Sequence, residues 1–156
     1  MYTVGHSTRT QQELAELALA FGVQRILDIR MIPYSRHNPQ FNREDMERAM
    51  PALGIAYEHL PDLGGVPPSR AVMEKARSCS ERSRGFAAYM ETEAFARGIE
   101  RAALYGSQEK IALMCAENDP THCHRWWVAD ALVARGIEVD HIIGPARTTP
   151  HQVKML

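Results

Sequence analysis

The chain has 156 residues, 45% of them hydrophobic and 24% charged, with a formal net charge of −1, a balance that suits one soluble domain and gives no global pull toward nucleic acid or membrane. No apolar run approaches the roughly 18 residues of a membrane span, and the first residues carry no charged-then-apolar leader pattern. Three cysteines are too few, and odd in number, for a disulfide framework, so the expectation is a cytoplasmic protein with free thiols.

The first apolar run, Tyr2–Val4, reads as a strand that ends at Gly5-His6-Ser7. Thr10-Gln-Gln-Glu13 then has the form of a capping box, in which hydroxyl and carboxylate satisfy reciprocal backbone amides. Leu14, Leu17, Ala18 and Phe21 come next at helical spacing, and Gly22 suits a left-handed stop. Ile26-Leu-Asp-Ile29 is a second strand leading into Arg30, after which Pro33 and Pro39 bracket a polar loop. Asn42, with Asp45 three residues on, opens a helix through Met46, Ala49 and Leu53 that Pro51 should shorten or kink.

A third strand lies around Tyr57–Leu60, followed by a turn-rich loop and a charged stretch, Arg70 to Arg84, read as exposed helix or lid. Phe86 to Tyr105 reads as helix, broken near Thr92 and stopped by Gly106. Ile111–Cys115 is a buried strand, and the next helix begins near Asp119-Pro120 or Thr121, carries Trp127, Val128, Ala131 and Leu132 as its stripe, and ends at Gly136. Val139–Ile143 supplies a fifth strand, and the last dozen residues look like a loose tail. Strands separated by helices predict a parallel, right-handedly connected sheet. The expected fold is an α/β three-layer sandwich, Rossmann-like, with a mostly parallel five-stranded sheet, and residues 1–156 form a single domain.

The polar residues just beyond these strands should gather at one rim, where open parallel sheets bind ligands. His6 has an intrinsic pKa suited to acid–base work. Ser7 stands beside it. Asp28 lies inside an apolar run, where a carboxylate must be paired or hydrogen-bonded; orienting Arg30, His6 or a loop amide fits it better than general-base catalysis. Glu117, on a loop, is the better candidate base. Cys115 ends a strand and reads equally well as a small core hydrophobe. Cys123 falls in the first turn of the predicted helix, where the dipole and free amides favour a thiolate. His124 and Arg125 adjoin it. Arg125 at a helix start, with Arg30 and Arg36, suits an anionic group such as phosphate. Seven residues separate Cys115 from Cys123, which is no recognised zinc spacing, so no metal is expected. Without a G-x-G-x-x-G or Walker sequence, a standard dinucleotide or ATP site is disfavoured, and the residues name no cofactor.

Several stretches together resemble the domain-of-unknown-function family number 488. They are Thr3-Val-Gly-His-Ser7, Leu27-Asp-Ile-Arg30, Pro33 with Ser35-Arg36 and Asn38-Pro-Gln-Phe41, and His59-Leu-Pro-Asp-Leu-Gly-Gly65. Phe86-x-x-Tyr89-Met90, Leu113-Met-Cys-Ala-Glu117, Cys123-His-Arg125 and Val139-x-His-Ile142 complete the series. The resemblance implies a Rossmann-like α/β domain and supplies no activity. A second, slighter resemblance is to rhodanese-like domains, through Asp28-Ile-Arg30 and Cys115 followed by Arg125. Nine residues, with a proline and no glycine, stand between Cys115 and Arg125, which departs from the tight amide nest of that loop.

The leading expectation is an enzyme that binds an anionic, phosphate- or nucleotide-like small molecule, with His6, Glu117 and Cys123 as chemical groups. Ser7, Asp28, Arg30, Arg36, Cys115, His124 and Arg125 would hold the ligand. The alternatives are a thiol-dependent or sulfurtransferase-like enzyme using Cys123 or Cys115, and a non-enzymatic nucleic-acid or protein binding module. The net charge does not favour duplex DNA.

Overall fold

Ile-Ala-Leu-Met-Cys, residues 111–115, is apolar without alternation, and in the computed structural model it forms a strand, β4 (Ile111–Cys115), buried at every position. A strand that reads this way must be covered on both faces. The structure describes residues 1–65 and 86–153. Around β4 stand β1 (Tyr2–Gly5), β2 (Arg25–Asp28), β3 (Ala56–His59), β5 (Asp140–Gly144) and β6 (Arg147–Pro150). They form a six-stranded sheet in the order β3-β2-β4-β1-β5-β6. The first five run parallel, with Val4 opposite Met114 and Leu27 opposite Leu113; β6 is antiparallel to β5.

Side chains alternate along the strands, so each strand feeds two cores. Val4, Ile26, Ala112, Met114 and Ile142 face one side. There they meet helices α1 (Gln11–Ala20) and α2 (Arg43–Ala52) through Leu14, Leu17, Ala18, Met46 and Met50. Leu27, Ile111, Leu113 and Cys115 face the other side, against helices α3 (Glu93–Gln108) and α4 (Arg125–Ala134). Phe95, Ile99, Val128 and Leu132 close that layer. Fully burying such a side chain stabilises the fold by about 1.5–3 kcal/mol.

The predicted capping box is present: Glu13 N–H donates to Thr10 Oγ1, and Thr10 N–H to Glu13 Oε1, each at 3.0 Å. Gly22 takes φ 76°, the left-handed stop expected of it. The break near Thr92 is also present. Residues 86–89 are helical, and Thr92 then caps α3 by accepting from Phe95 N–H. Gly106 does not end that helix, which runs on to Gln108. It lies against Met1, whose Cε would stand 2.7 Å from an added Cβ, so its small size serves packing rather than a stop. Asn42 precedes α2, but its side chain accepts from Ser35 N–H instead of capping the helix.

The tail carries the largest correction. Residues 147–150 are a sixth strand rather than loose chain, joined to β5 by a turn in which Ala146 has φ 55°. Every residue of β6 is exposed, so no apolar alternation announces it. A buried polar chain anchors the end of this strand through His151. That ring donates to Asp130 (2.6 Å), His141 donates to His151 (2.9 Å), and Thr3 Oγ1 to His141 (2.6 Å). Trp126 stacks on His141. The charged stretch Arg70 to Arg84, with Cys79, lies outside the described residues.

The chain order sets the site. From β1 the chain steps across β4 to β2 and on to β3, through helices on one face. From β4 it steps back across β1 to β5, through a helix on the other face. The loops after the neighbouring strands β1 and β4 therefore part to opposite faces. Such a parting opens a crevice at the carboxyl ends of the strands.

Candidate functional site

At that crevice the two loops touch closely. His6 N–H donates to the Cys115 carbonyl and Ser7 N–H to that of Ala116, both at 2.9 Å, extending the strand pairing beyond the strands. A Cβ on Gly5 would lie 1.9 Å from the Glu117 carbonyl oxygen, so this position admits only glycine. Ser7 turns the chain away toward α1 with φ 50°, in the left-handed region that most residues avoid.

On the α1/α2 side, Asp28 is completely buried, and four donors converge on its carboxylate. Arg30 gives Nε and its backbone N–H to Oδ1 (2.9 and 3.1 Å) and Nη2 to Oδ2 (2.6 Å), while the Tyr57 hydroxyl donates to Oδ2. Arg30 also donates to the Phe41 carbonyl (2.6 Å) and to His6 Nε2 (3.3 Å). Burial works against the Arg30 charge, but the Asp28 hydrogen bonds and charge prevail and hold its pKa above the ordinary value. Burial, with the neighbouring carboxylate, pushes the Tyr57 hydroxyl well up, so it stays a donor. This pair is saturated, as the reading of Asp28 as an orienting group anticipates. Four of the five guanidinium N–H groups of Arg30 are used within the protein.

His6 is sandwiched into the same network. Its Nδ1–H donates to the Ser7 carbonyl at 2.8 Å, which leaves Nε2 as the acceptor for Arg30. The ring stacks on Phe41 at 4.3 Å between centroids. Burial lowers its pKa to about 4, so it is neutral at pH 7 with both nitrogens engaged. Both ring nitrogens are thus used within the protein.

The α3/α4 side differs in kind. Cys115 and Cys123 are thiols with no disulfide between them, their sulfurs 2.8 Å apart. Arg125, wholly buried, aims Nη1 at Cys115 Sγ (3.4 Å), and its backbone N–H reaches Cys123 Sγ (3.4 Å). Its Nη2 donates to the Asn118 carbonyl at 3.0 Å, and its Nε has no hydrogen-bond partner. Among the described residues no carboxylate lies within ion-pair distance of this guanidinium. A buried, unpaired charge is costly. The polarisable group that this guanidinium faces is the Cys115 sulfur.

His124 completes the cluster. Its Nε2–H donates to the Ile29 carbonyl (2.9 Å), which fixes the tautomer and turns bare Nδ1 toward Cys123 Sγ at 3.6 Å. Burial raises the Cys115 thiol well above the usual range, helped by Cys123 and opposed by Arg125. Its Sγ–H faces the Glu117 carbonyl at 3.5 Å.

Two sequence expectations are revised here. Cys123 is not in the first turn of a helix. Residues Pro120–His122 form a 3₁₀ turn, Cys123 itself is extended (φ −135°), and α4 starts at Arg125. Pro120 favours the turn, and Asp119 locks it by accepting from Thr121 N–H and Oγ1. The thiol still meets the first amide of α4. The three arginines also do not form one clamp: Arg30 is bound to Asp28 on the α1/α2 side, Arg36 is exposed on the 31–38 loop, and Arg125 serves the thiols on the α3/α4 side. Glu117 contributes its carbonyl, while its side chain is exposed at the rim.

Arg9, Tyr57 and Asn118 are part of the site, and no sequence motif marks them. Arg9 bridges the two loops through the Gly5 carbonyl (2.7 Å) and Asn118 Oδ1 (3.0 Å). Its pKa is lowered by burial, with Arg125 adding to the effect. Its position just after Gly5-His6-Ser7 was the available signal. Among the described residues no group of three or more His, Cys, Asp or Glu side chains is arranged to hold a metal. No helix among them is long and apolar enough to cross a membrane.

The fold and site together define an α/β domain with a paired-thiol centre at the switch point of a mostly parallel sheet. Residues 10–132 match the family model described as domain of unknown function DUF488, and the chain belongs to that family. No curated protein and no solved structure matches the chain.

Proposed function

We propose that this protein is a thiol-dependent enzyme in which Cys123 is the nucleophile. The observation that carries this reading is the buried Arg125, whose backbone N–H reaches the Cys123 sulfur while its guanidinium faces the Cys115 sulfur beside it, with no carboxylate in ion-pair distance among the described residues. A positive charge held there favours the sulfur species with negative charge. His124 Nδ1 stands ready to take the Cys123 proton, and the Ile29 carbonyl keeps the ring in the required tautomer, the arrangement of an activated nucleophile. Cys123 is 9% exposed against 1% for Cys115, so attack on an incoming group falls to Cys123. The anionic-ligand reading contracts to this side of the rim, since Asp28 already neutralises Arg30. Timed alkylation with iodoacetamide, read by peptide mass, tests the proposal. Cys123 should react at least tenfold faster than Cys115 at pH 7, and Arg125→Met should slow it severalfold. Equal rates for the two cysteines, unaltered by Arg125→Met, would remove the nucleophile.

A further inference from the structure

We propose that the Cys115–Cys123 pair is a dithiol exchange centre whose substrate is a low-molecular-weight disulfide, an inference that rests on Cys123 being the nucleophile. The two sulfurs are less than an ångström beyond the roughly 2.05 Å of a disulfide bond. Both are buried, Cys123 at 9% exposure and Cys115 at 1%. Two thiols in contact, one slightly more accessible than the other, suit the division of labour that exchange requires, with one sulfur to attack and one to resolve. The low exposure of Cys123 suits a small disulfide better than that of a folded protein.

Atoms and electrons balance at each step. Cys123 gives its proton to His124 Nδ1, and its thiolate attacks one sulfur of the substrate disulfide RSSR. The S–S bond breaks, a mixed disulfide Cys123–S–SR forms, and the departing thiolate takes the proton back from His124. With Cys123 bonded covalently, its charge no longer opposes ionisation of Cys115, and Arg125 Nη1 at 3.4 Å is left facing that sulfur. Cys115 then attacks Cys123 Sγ, the second RS⁻ leaves and is protonated by the proton Cys115 gave up, and an intramolecular disulfide remains. RSSR is reduced to two RSH and the protein dithiol is oxidised by the same two electrons. A second dithiol must reduce the protein for another turn.

The geometry also assigns Arg125 two tasks in sequence. Its backbone amide faces the attacking sulfur and its side chain faces the resolving one. A core arginine kept only for packing would not need that split.

The test uses the full chain carrying Cys79→Ser, so that only the pair is counted, reduced and then mixed with glutathione disulfide. The protein with both cysteines should release two glutathione thiols per chain, retain no adduct, and lose the mass of two hydrogens. Adding Cys115→Ser should release one thiol and leave glutathione attached at Cys123. Adding Cys123→Ser should cut the release at least tenfold. If the Cys115→Ser protein takes up glutathione and the two-cysteine protein retains it equally, the exchange centre is overturned while Cys123 stands as nucleophile. If neither reacts faster than Cys123→Ser, the nucleophile itself is overturned. Circular dichroism of each variant establishes that the fold is intact before the counts are compared.

Discussion

Two arginines are buried at the rim of this sheet, and they are satisfied in opposite ways. Arg30 meets a carboxylate in a two-pronged ion pair, with a backbone carbonyl and an imidazole nitrogen occupying its remaining edges. Arg125 meets two sulfurs and one carbonyl, and one of its nitrogens has no partner. In the first arrangement the charges cancel and four of the five guanidinium N–H groups are bonded. In the second, no carboxylate lies within ion-pair distance among the described residues. Two buried residues of the same type thus sit in unlike surroundings, and the difference lies wholly in what faces them.

The largest expected effect breaks the Arg30 side. Asp28→Asn removes the charge that answers Arg30 and should cost about 3–5 kcal/mol, as breaking a buried ion pair does. Urea unfolding measures it, and a loss below about 1 kcal/mol would show that Arg30 is neutralised some other way. Gly5→Ala tests the contact between the two sides. A Cβ driven into the Glu117 carbonyl should cost about 3 kcal/mol, the upper range for forced overpacking. It should also shift the Cys115 reaction rate, because the displaced loop carries the carbonyl that holds that thiol.

Acid should act next. His6 and His141 both have pKa values lowered to about 4 by burial, against 6.5 in the unfolded chain. The unfolded state therefore binds more protons between pH 6.5 and 4. The stability these neutral rings contribute is complete above pH 6.5, falls as pH drops toward 4, and changes no further below that. Each ring contributes on the order of 3 kcal/mol across the window. A His6→Gln protein should show a shallower decline of unfolding free energy with acid, and an unchanged slope would refute the assignment.

Thr10→Ala, remote from either arginine, should cost about 1 kcal/mol through loss of the α1 cap, and serves as the reference for an ordinary surface interaction. Arg125→Met comes last on the stability scale. Replacing an unpaired buried charge by an apolar side chain of similar length should change unfolding free energy by less than about 1 kcal/mol, or raise it. The same variant should slow Cys123 alkylation. If it destabilises the fold as much as Asp28→Asn does, Arg125 is a brace like Arg30 and the contrast between the two sides fails.

Local chemistry makes much of this fold legible in the sequence. The Thr10–Glu13 capping box, the Gly22 and Gly136 stops and the unbroken apolar run of β4 act through neighbours along the chain, so sequence alone suffices to place α1, α4's end and the central strand. The strand-end position of Asp28, Cys115 and Ser7 is legible for the same reason. Strand β6 is not. Its four residues are exposed, and it is held by pairing to β5 and by the polar chain from His151 to Asp130, Thr3 and His141, residues up to 138 positions apart in sequence.

The candidate site divides along the same line. Sequence by itself determined which chemical groups stand at the carboxyl ends of the strands, because strand periodicity and loop composition are properties of adjacent residues. Only the tertiary structure decided which of them meet. It sent Arg30 to Asp28 and Tyr57 on one face and placed Arg125 beneath Cys115 and Cys123 on the other, and it fixed the tautomer of His124 by a carbonyl 95 residues away. A charge is neutral or reactive according to what lies within a few ångströms of it, and for buried groups those neighbours come from other strands and helices.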